Sequence, residues 1–179
     1  SGLEVAKVLW DLEKFYDTIN ITKLVRKCGE CGYPIKLTAL GLIMHTAPRM
    51  LKAYDHYLMV GLPSNGIIAG CTQSNHFARI FLHDIIRATL EGSPYSHITQ
   101  TQYLADSPLP IGAWNDIRSF VDDVSQTVRA KMPANKMISS ATIFAKTARG
   151  DDLRISPKTV VLASKKGIGT DIVKRFRTI

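Results

Sequence analysis

The sequence predicts an α+β protein, an antiparallel sheet with helices packed on one face. Three observations carry that expectation. Short β-branched runs alternate along the chain with longer stretches of helical spacing. Two of the short runs, in "IRSFVDDVSQTV", flank an Asp pair and read as a β-hairpin, so the central strands pair antiparallel rather than through a crossover. The 179 residues, 45% of them hydrophobic, suffice for one core of ordinary size.

Taken in order, "AKVLWDLEKFYDTI" opens as a strand through Val5, Val8, Leu9 and Trp10, and Asp11 ends its apolar run. Ile21, Leu24, Val25 and Cys28 have helical spacing, and Gly29, Gly32 and Pro34 stop that helix. A second helix is expected from Pro34 to His45. "APRMLKAYDHYLMVGLPSNGIIAGC" reads as short strands with turns at Asp55-His56 and between Pro63 and Gly66. A long helix from about Thr72 to Leu90 has Thr72 or Ser74 as its cap. Its apolar stripe is Phe77, Ile80, Phe81, Ile85 and Ala88, and Gly92 follows its end. The stretch from Gly92 to Gly112, rich in Ser, Pro and Thr, is expected to be a long surface connection. After the hairpin come a helix from Pro133 to Gly150, a strand in "KTVVLAS" and a final helix in "TDIVKRFRTI".

No uninterrupted apolar stretch reaches the length of a membrane span, and the charged start "SGLEVAKVLWDLEKF" is no signal peptide. An intracellular location is expected, nuclear or cytoplasmic. The start lacks Met and enters a strand at once, so the chain is expected to be a piece of a longer one. The net charge is +8, with nine basic and three acidic residues from Ala141 onward, which suggests a polyanionic partner. Cys28 and Cys31 form a CxxC without a second ligand pair at zinc spacing, so Cys28 reads as a helix-face residue and Cys31 as a loop residue.

"FVDDV" poses the sharper question. Adjacent anions repel, and burying them is costly unless something compensates. A turn explains Asp122 and Asp123 blandly; a divalent cation explains them chemically, because hard cations take oxygen ligands. If the strand ended by Asp11 lies beside the hairpin, three carboxylates converge at one end of a sheet. Such a cluster suits two-metal phosphoryl transfer, with a basic surface beside it for a nucleic-acid backbone.

Four stretches, in order, resemble the palm motifs of reverse transcriptases, nearest the non-LTR retrotransposon and group II intron branch. "WDLEKFYDTI" is similar to the first, D-x-x-K-x-F-D. "GIIAGCTQSNHFARIFL" resembles the second, G-x-x-Q-G-x-x-x-S opening a long helix. "FVDDV" resembles the third and "ISPKTVVLAS" the fourth. The resemblance covers most of the chain and implies a polymerase palm whose fingers and thumb lie outside it. It implies an RNA-directed DNA polymerase acting on an RNA template, a DNA primer and dNTP, with two Mg2+ ions or Mn2+ in their place. Asp11, Asp122, Asp123 and the carbonyl of Leu12 would be the metal ligands. Tyr16 would pack beneath the deoxyribose and exclude a 2′-hydroxyl. Ala69 and Gly70 would lie against the nucleotide, and Lys158 would give a proton to the leaving pyrophosphate.

The chain departs from that pattern at Ala69, where the family has Gln, and at Thr72, near which it often has Pro. An RNA-dependent RNA polymerase is the alternative within the same chemistry; those enzymes tend to carry a second Asp where this chain has Tyr16, and often Gly where it has Val121, and both differences favour DNA synthesis. A decayed retroelement domain that only binds nucleic acid is the alternative outside catalysis. Tyr16 also reads as a packing residue, Asp17 as a cap for the next helix, and Trp10 and Trp114 as core. His76, Arg79, His83 and Arg87 share one helix face, either solvated or turned to nucleic acid, and Lys165, Lys166, Lys174, Arg175 and Arg177 read the same two ways.

Overall fold

The computed structural model describes residues 2–93 and 113–177, so the expected connection up to Gly112 lies largely outside the described residues. β1 (Glu4–Trp10) is followed by a single turn, α1 (Phe15–Thr18), and then by α2 (Ile21–Glu30) and α3 (Ile35–Thr46). A hairpin of β2 (Arg49–Ala53) and β3 (His56–Gly61) leads to α4 (Thr72–Glu91). Then come β4 (Trp114–Phe120), β5 (Asp123–Ala130), α5 (Pro133–Gly150), β6 (Val160–Ala163) and α6 (Lys166–Phe176).

The expected fold class holds: four strands form one antiparallel sheet in the order β4-β5-β1-β6, with α4, α5 and α6 packed against it. Strand alternation fixes the two faces. Ala6, Val8 and Trp10 of β1, Val124 and Val128 of β5 and Ile117 of β4 are buried toward the helices. The helices answer with Phe77, Phe81, Leu82 and Ile85 of α4 and Met137, Ala141 and Phe144 of α5. Each large side chain buried this way contributes about 1.5–3 kcal/mol. Trp10, expected in the core, stacks on Phe144 at 4.7 Å and on Phe176 at 5.5 Å. Trp114 is half-buried on the sheet's other face.

A polar cluster runs through this core. The Trp10 indole donates to Gln126 Oε1 at 3.2 Å, and Gln126 in turn donates to Ser140 Oγ. Ser140 Oγ also accepts from Asn115 Nδ2 at 3.1 Å and gives its own proton to Ser93 Oγ, 2.6 Å away, whose hydroxyl is donated to the Thr89 carbonyl. One hydroxyl of α5 thereby ties together β1, β4, β5 and the residue after α4. Sliding β5 by one residue would turn Gln126 away from Ser140, so the cluster helps fix the register.

Several boundaries differ from expectation. The β2–β3 turn is Tyr54-Asp55, one residue early, with Tyr54 in the left-handed region at φ 54°. Cys71, not Thr72 or Ser74, is the N-cap of α4; the Ser74 hydroxyl donates to the Cys71 carbonyl at 2.5 Å and does not cap an amide. Asp17 lies inside α1, and the cap of α2 is Asn20, whose side chain accepts from the Lys23 amide at 3.0 Å. α6 begins at Lys166, several residues before Thr170. Cys28 is buried on α2 and Cys31 is its C-cap, and Cys28, Cys31 and Cys71 are free thiols. Among the described residues no helix is long and apolar enough to cross a membrane.

Two features lie off the sheet. Lys27 of α2 is buried, with its ammonium 3.1 Å from Asp84 of α4 and 3.0 Å from Asp151 at the end of α5. α3 is built inside out. Thr38, Gly41 and His45 face inward, while Ile35, Leu40 and Ile43 face out. At Gly41 the room is taken by side chains of α4: a Cβ there would meet Gln73 at 2.5 Å and Phe77 at 2.7 Å.

Candidate functional site

The sheet brings the predicted carboxylates to one end. β1 pairs with β5 as far as Trp10↔Val124, so Asp11 and Asp123 occupy the next step on each strand. Alternation puts both on the face away from the helices, since Trp10 and Val124 point inward. Paired strands keep Cα atoms about 4.5–5.5 Å apart, within reach of carboxylates sharing an ion. Asp122 sits in the hairpin turn. That turn is Val121-Asp122, with Phe120 paired to Asp123, so Asp123 is the first residue of β5 and not part of the tip.

Val121 adopts φ 59°. A β-branched side chain is seldom found there, and Gly is the usual residue at a positive-φ first position of a two-residue hairpin loop. Backbone strain is thus placed immediately before the Asp pair.

The backbone around Asp11 is held by two residues not singled out among the expected site residues. Its amide donates to Thr159 Oγ1 at 3.2 Å and its carbonyl accepts from the Ser156 amide at 2.8 Å. Leu12 forms an isolated antiparallel bridge with Ile155, and the two backbone bonds flanking it run from Ser156 to Asp11 and from Glu13 to Arg154. Neither uses the Leu12 carbonyl. Lys158 lies between Ser156 and Thr159 on the same strap, and it is exposed. The signal for the strap was the Lys-Thr pair itself, whose Thr does the fastening.

Tyr16 is on α1, packed against the core, with its ring edge-on to Phe15 at 5.5 Å. Burial and then the charge of the Asp122 carboxylate push its phenol above the ordinary value. The Tyr16 carbonyl accepts from the Ile67 amide at 2.8 Å. Ala69 and Gly70 follow, both exposed. Gly70 has φ 82° with open space where a Cβ would stand, so backbone conformation, not crowding, selects glycine there.

The donor set at this end consists of oxygen atoms, the kind a hard divalent cation takes. Among the described residues no three His, Cys, Asp or Glu side chains are already gathered around a metal position. The backbone therefore brings the three carboxylates to one end without drawing them into a closed cluster. Beside Asp123, on the open face, a cavity of about 490 Å³ is lined by Leu9, Arg118, Phe120 and Ser125. A larger one of about 540 Å³, between Trp10, Ile155 and Phe176, contains none of the predicted site residues.

The other candidate faces divide. His76, Arg79, His83 and Arg87 are all exposed on α4, and His83 and Arg87 lie 3.3 and 3.4 Å from Asp84. Lys165 pairs with Glu4, and Arg175 with Asp171 at 3.1 Å. No known family model matches the chain, and no curated protein matches it.

Proposed function

We propose that this chain is the palm of an RNA-directed DNA polymerase, transferring a nucleotide from dNTP to a primer 3′-hydroxyl on an RNA template. The observation that carries the reading is the placement of Asp11 and Asp123 at neighbouring strand positions on the open face, with Asp122 in the adjoining hairpin turn. Asp11, Asp122, Asp123 and the Leu12 carbonyl would hold two Mg2+ ions. Bound there, such ions acidify the attacking hydroxyl and neutralise the leaving pyrophosphate.

The remaining roles belong to the chain. Tyr16 carries its ring to the nucleotide sugar, where a 2′-hydroxyl would overlap it. Ala69 and Gly70 present backbone to the base and phosphates. Lys158 is exposed on the strap that fastens Asp11, placed to deliver a proton to pyrophosphate. One observation favours a second reading, a domain that binds nucleic acid without catalysis. Ala69 offers a methyl where the resembling family has an amide.

Two measurements decide between them. Mn2+ added to the 15N-labelled chain should broaden the amide signals of residues 11, 12 and 122–124 before others. In the polypeptide that carries the palm, Asp122→Asn should abolish primer extension and leave the melting temperature unchanged, because it removes a ligand charge without removing volume. Extension at the wild-type rate in that variant refutes the assignment. Tyr16→Val should raise ribonucleotide incorporation relative to dNTP by roughly ten- to a hundredfold, since relieving an overlap of about 1–3 kcal/mol is worth that in rate. An unchanged ratio in single-nucleotide extension makes Tyr16 a packing residue only.

A further inference from the structure

His45 is fully buried on α3, where apolar packing gives no reason for an imidazole. Its Nδ1 accepts from the Ile68 amide at 3.0 Å. A neutral ring with Nδ1 as acceptor carries its proton on Nε2, and that nitrogen has no hydrogen-bond partner among the described residues. The ring lies 5.6 Å from Phe77, tilted by 60°. A buried polar atom without a partner is a standing cost that Leu would not incur. What the imidazole supplies in return is an acceptor for one amide of residues 66–70.

The same segment is fastened on its other side to the turn that carries Tyr16. The Gly66 amide donates to the Ile19 carbonyl at 2.8 Å, and the Ile67 amide to the Tyr16 carbonyl at 2.8 Å. Gly66 has φ 88°, and a Cβ there would come within 2.8 Å of the Asp17 carbonyl, so the approach admits only glycine. Three successive amides are held, two by the Tyr16 turn and one by His45. Ala69 and Gly70 come next.

We propose that His45 is a positioning residue for the nucleotide subsite: its neutral Nδ1 fixes residues 66–68, so that Ala69 and Gly70 keep a set distance from Tyr16, and protonation releases them. What Ala69 and Gly70 hold rests on the polymerase reading; the clamp itself does not.

The pH dependence follows from the acceptor role. Protonation places a hydrogen on Nδ1 and turns it toward another donor. Burial, and then the charge of Arg49, hold His45 below the ordinary imidazole value, so the clamp is closed at neutral pH. It is intact above the ordinary value and is lost as pH falls through the lowered one. Arg49, from β2, donates to the His45 carbonyl at 2.9 Å and stays charged throughout. The neighbours from α4 and from the 66–68 segment, Phe77 and the Ile68 amide, do not titrate in this range.

The test uses two variants. His45→Leu fills the space without an acceptor. His45→Asn keeps an oxygen near the Nδ1 position and cannot titrate. In the 15N-labelled chain, Ile68 amide exchange, corrected for its intrinsic pH dependence, should quicken roughly ten- to a hundredfold in His45→Leu and stay near wild type in His45→Asn. In primer extension, KM for dNTP should rise about tenfold in His45→Leu with kcat within about twofold, and recover in His45→Asn. Wild-type KM should rise on the acid side, and that rise should vanish in His45→Asn. Unchanged Ile68 exchange in His45→Leu overturns the clamp. Faster exchange with unchanged KM overturns the positioning role, as does an acid-side rise that persists in His45→Asn. A wild-type polypeptide that carries this palm together with fingers and thumb and yet extends no primer refutes the polymerase reading, while Ile68 exchange still decides the clamp.

Discussion

The sheet with α4 and α5 and the stretch from α3 through β3 use similar apolar residues in opposite ways. In the first, Phe77, Phe81 and Phe144 are fully buried, and a cluster of Gln, Ser and Asn is paired among them. In the second, Leu40 and Ile43 on α3 and Met50, Leu58 and Met59 on the hairpin are all exposed, while a Thr, a Gly and a His face inward. Hydrophobic content alone therefore does not decide burial. The sheet closes its own core because strand alternation and helix stripes meet face to face. On α3 the inward positions go to Thr38, Gly41 and the fully buried His45, with Gln73 and Phe77 of α4 filling the space beside Gly41, and its larger apolar residues are left outside.

Substitutions break or sharpen that contrast. The largest effect is expected from Phe144→Ala. It empties the space against Trp10 and should cost about 3–5 kcal/mol of stability in urea unfolding. A loss near zero would mean that the sheet's core is not the stabilising half.

Lys27→Ala comes next, since it leaves Asp84 and Asp151 without their shared cation. A broken buried pair costs 3–5 kcal/mol, and the partial exposure of Asp84 reduces this to about 2 kcal/mol. Burial pushes the Asp84 carboxyl up, but the hydrogen bond and charge of Lys27, with His83 and Arg87, more than offset it and hold the group below its ordinary value. The ionised form is thus favoured on folding. Its contribution is present above the ordinary Asp range and is lost as pH falls through the lowered value. Urea midpoints measured from neutral to acid pH should show that loss in the wild type and a flatter profile in Lys27→Ala.

The smallest effect is expected on the outward face. Leu58→Ser, on a strand with little else against it, should stay within about 0.5 kcal/mol of wild type. A cost of 2 kcal/mol or more would show that the hairpin is packed after all, and the contrast between the halves would collapse.

Legibility in the sequence follows the same division. The strand ended by Asp11, the hairpin around the Asp pair and the helix over residues 72–91 were readable because each depends on local alternation, turn chemistry or a continuous stripe. The sheet order then placed Asp11 beside Asp123. Ser156 and Thr159 were not readable as holders of Asp11, since the Ser156 amide and the Thr159 hydroxyl reach its backbone across more than a hundred residues of chain. His45 escaped for a different reason. α3 is apolar nearly all round, so periodicity picks out no inward face, and only its tertiary neighbours Ile68 and Phe77 bury His45. The tip residue was misplaced by one position because Val121 takes a backbone conformation its side chain disfavours.

That last residue has a meaning for anyone redesigning the protein. An engineer asked for a two-residue hairpin here would write Gly at position 121, and stability screens would reward the change by relaxing the backbone. The natural chain keeps a rigid side chain that packs against the core while its backbone is bent the unfavourable way. Thermostabilised versions selected for melting temperature alone would drift toward glycine there. They would gain a tougher fold and a looser hinge under Asp122, so the aspartate's geometry belongs in the selection alongside heat.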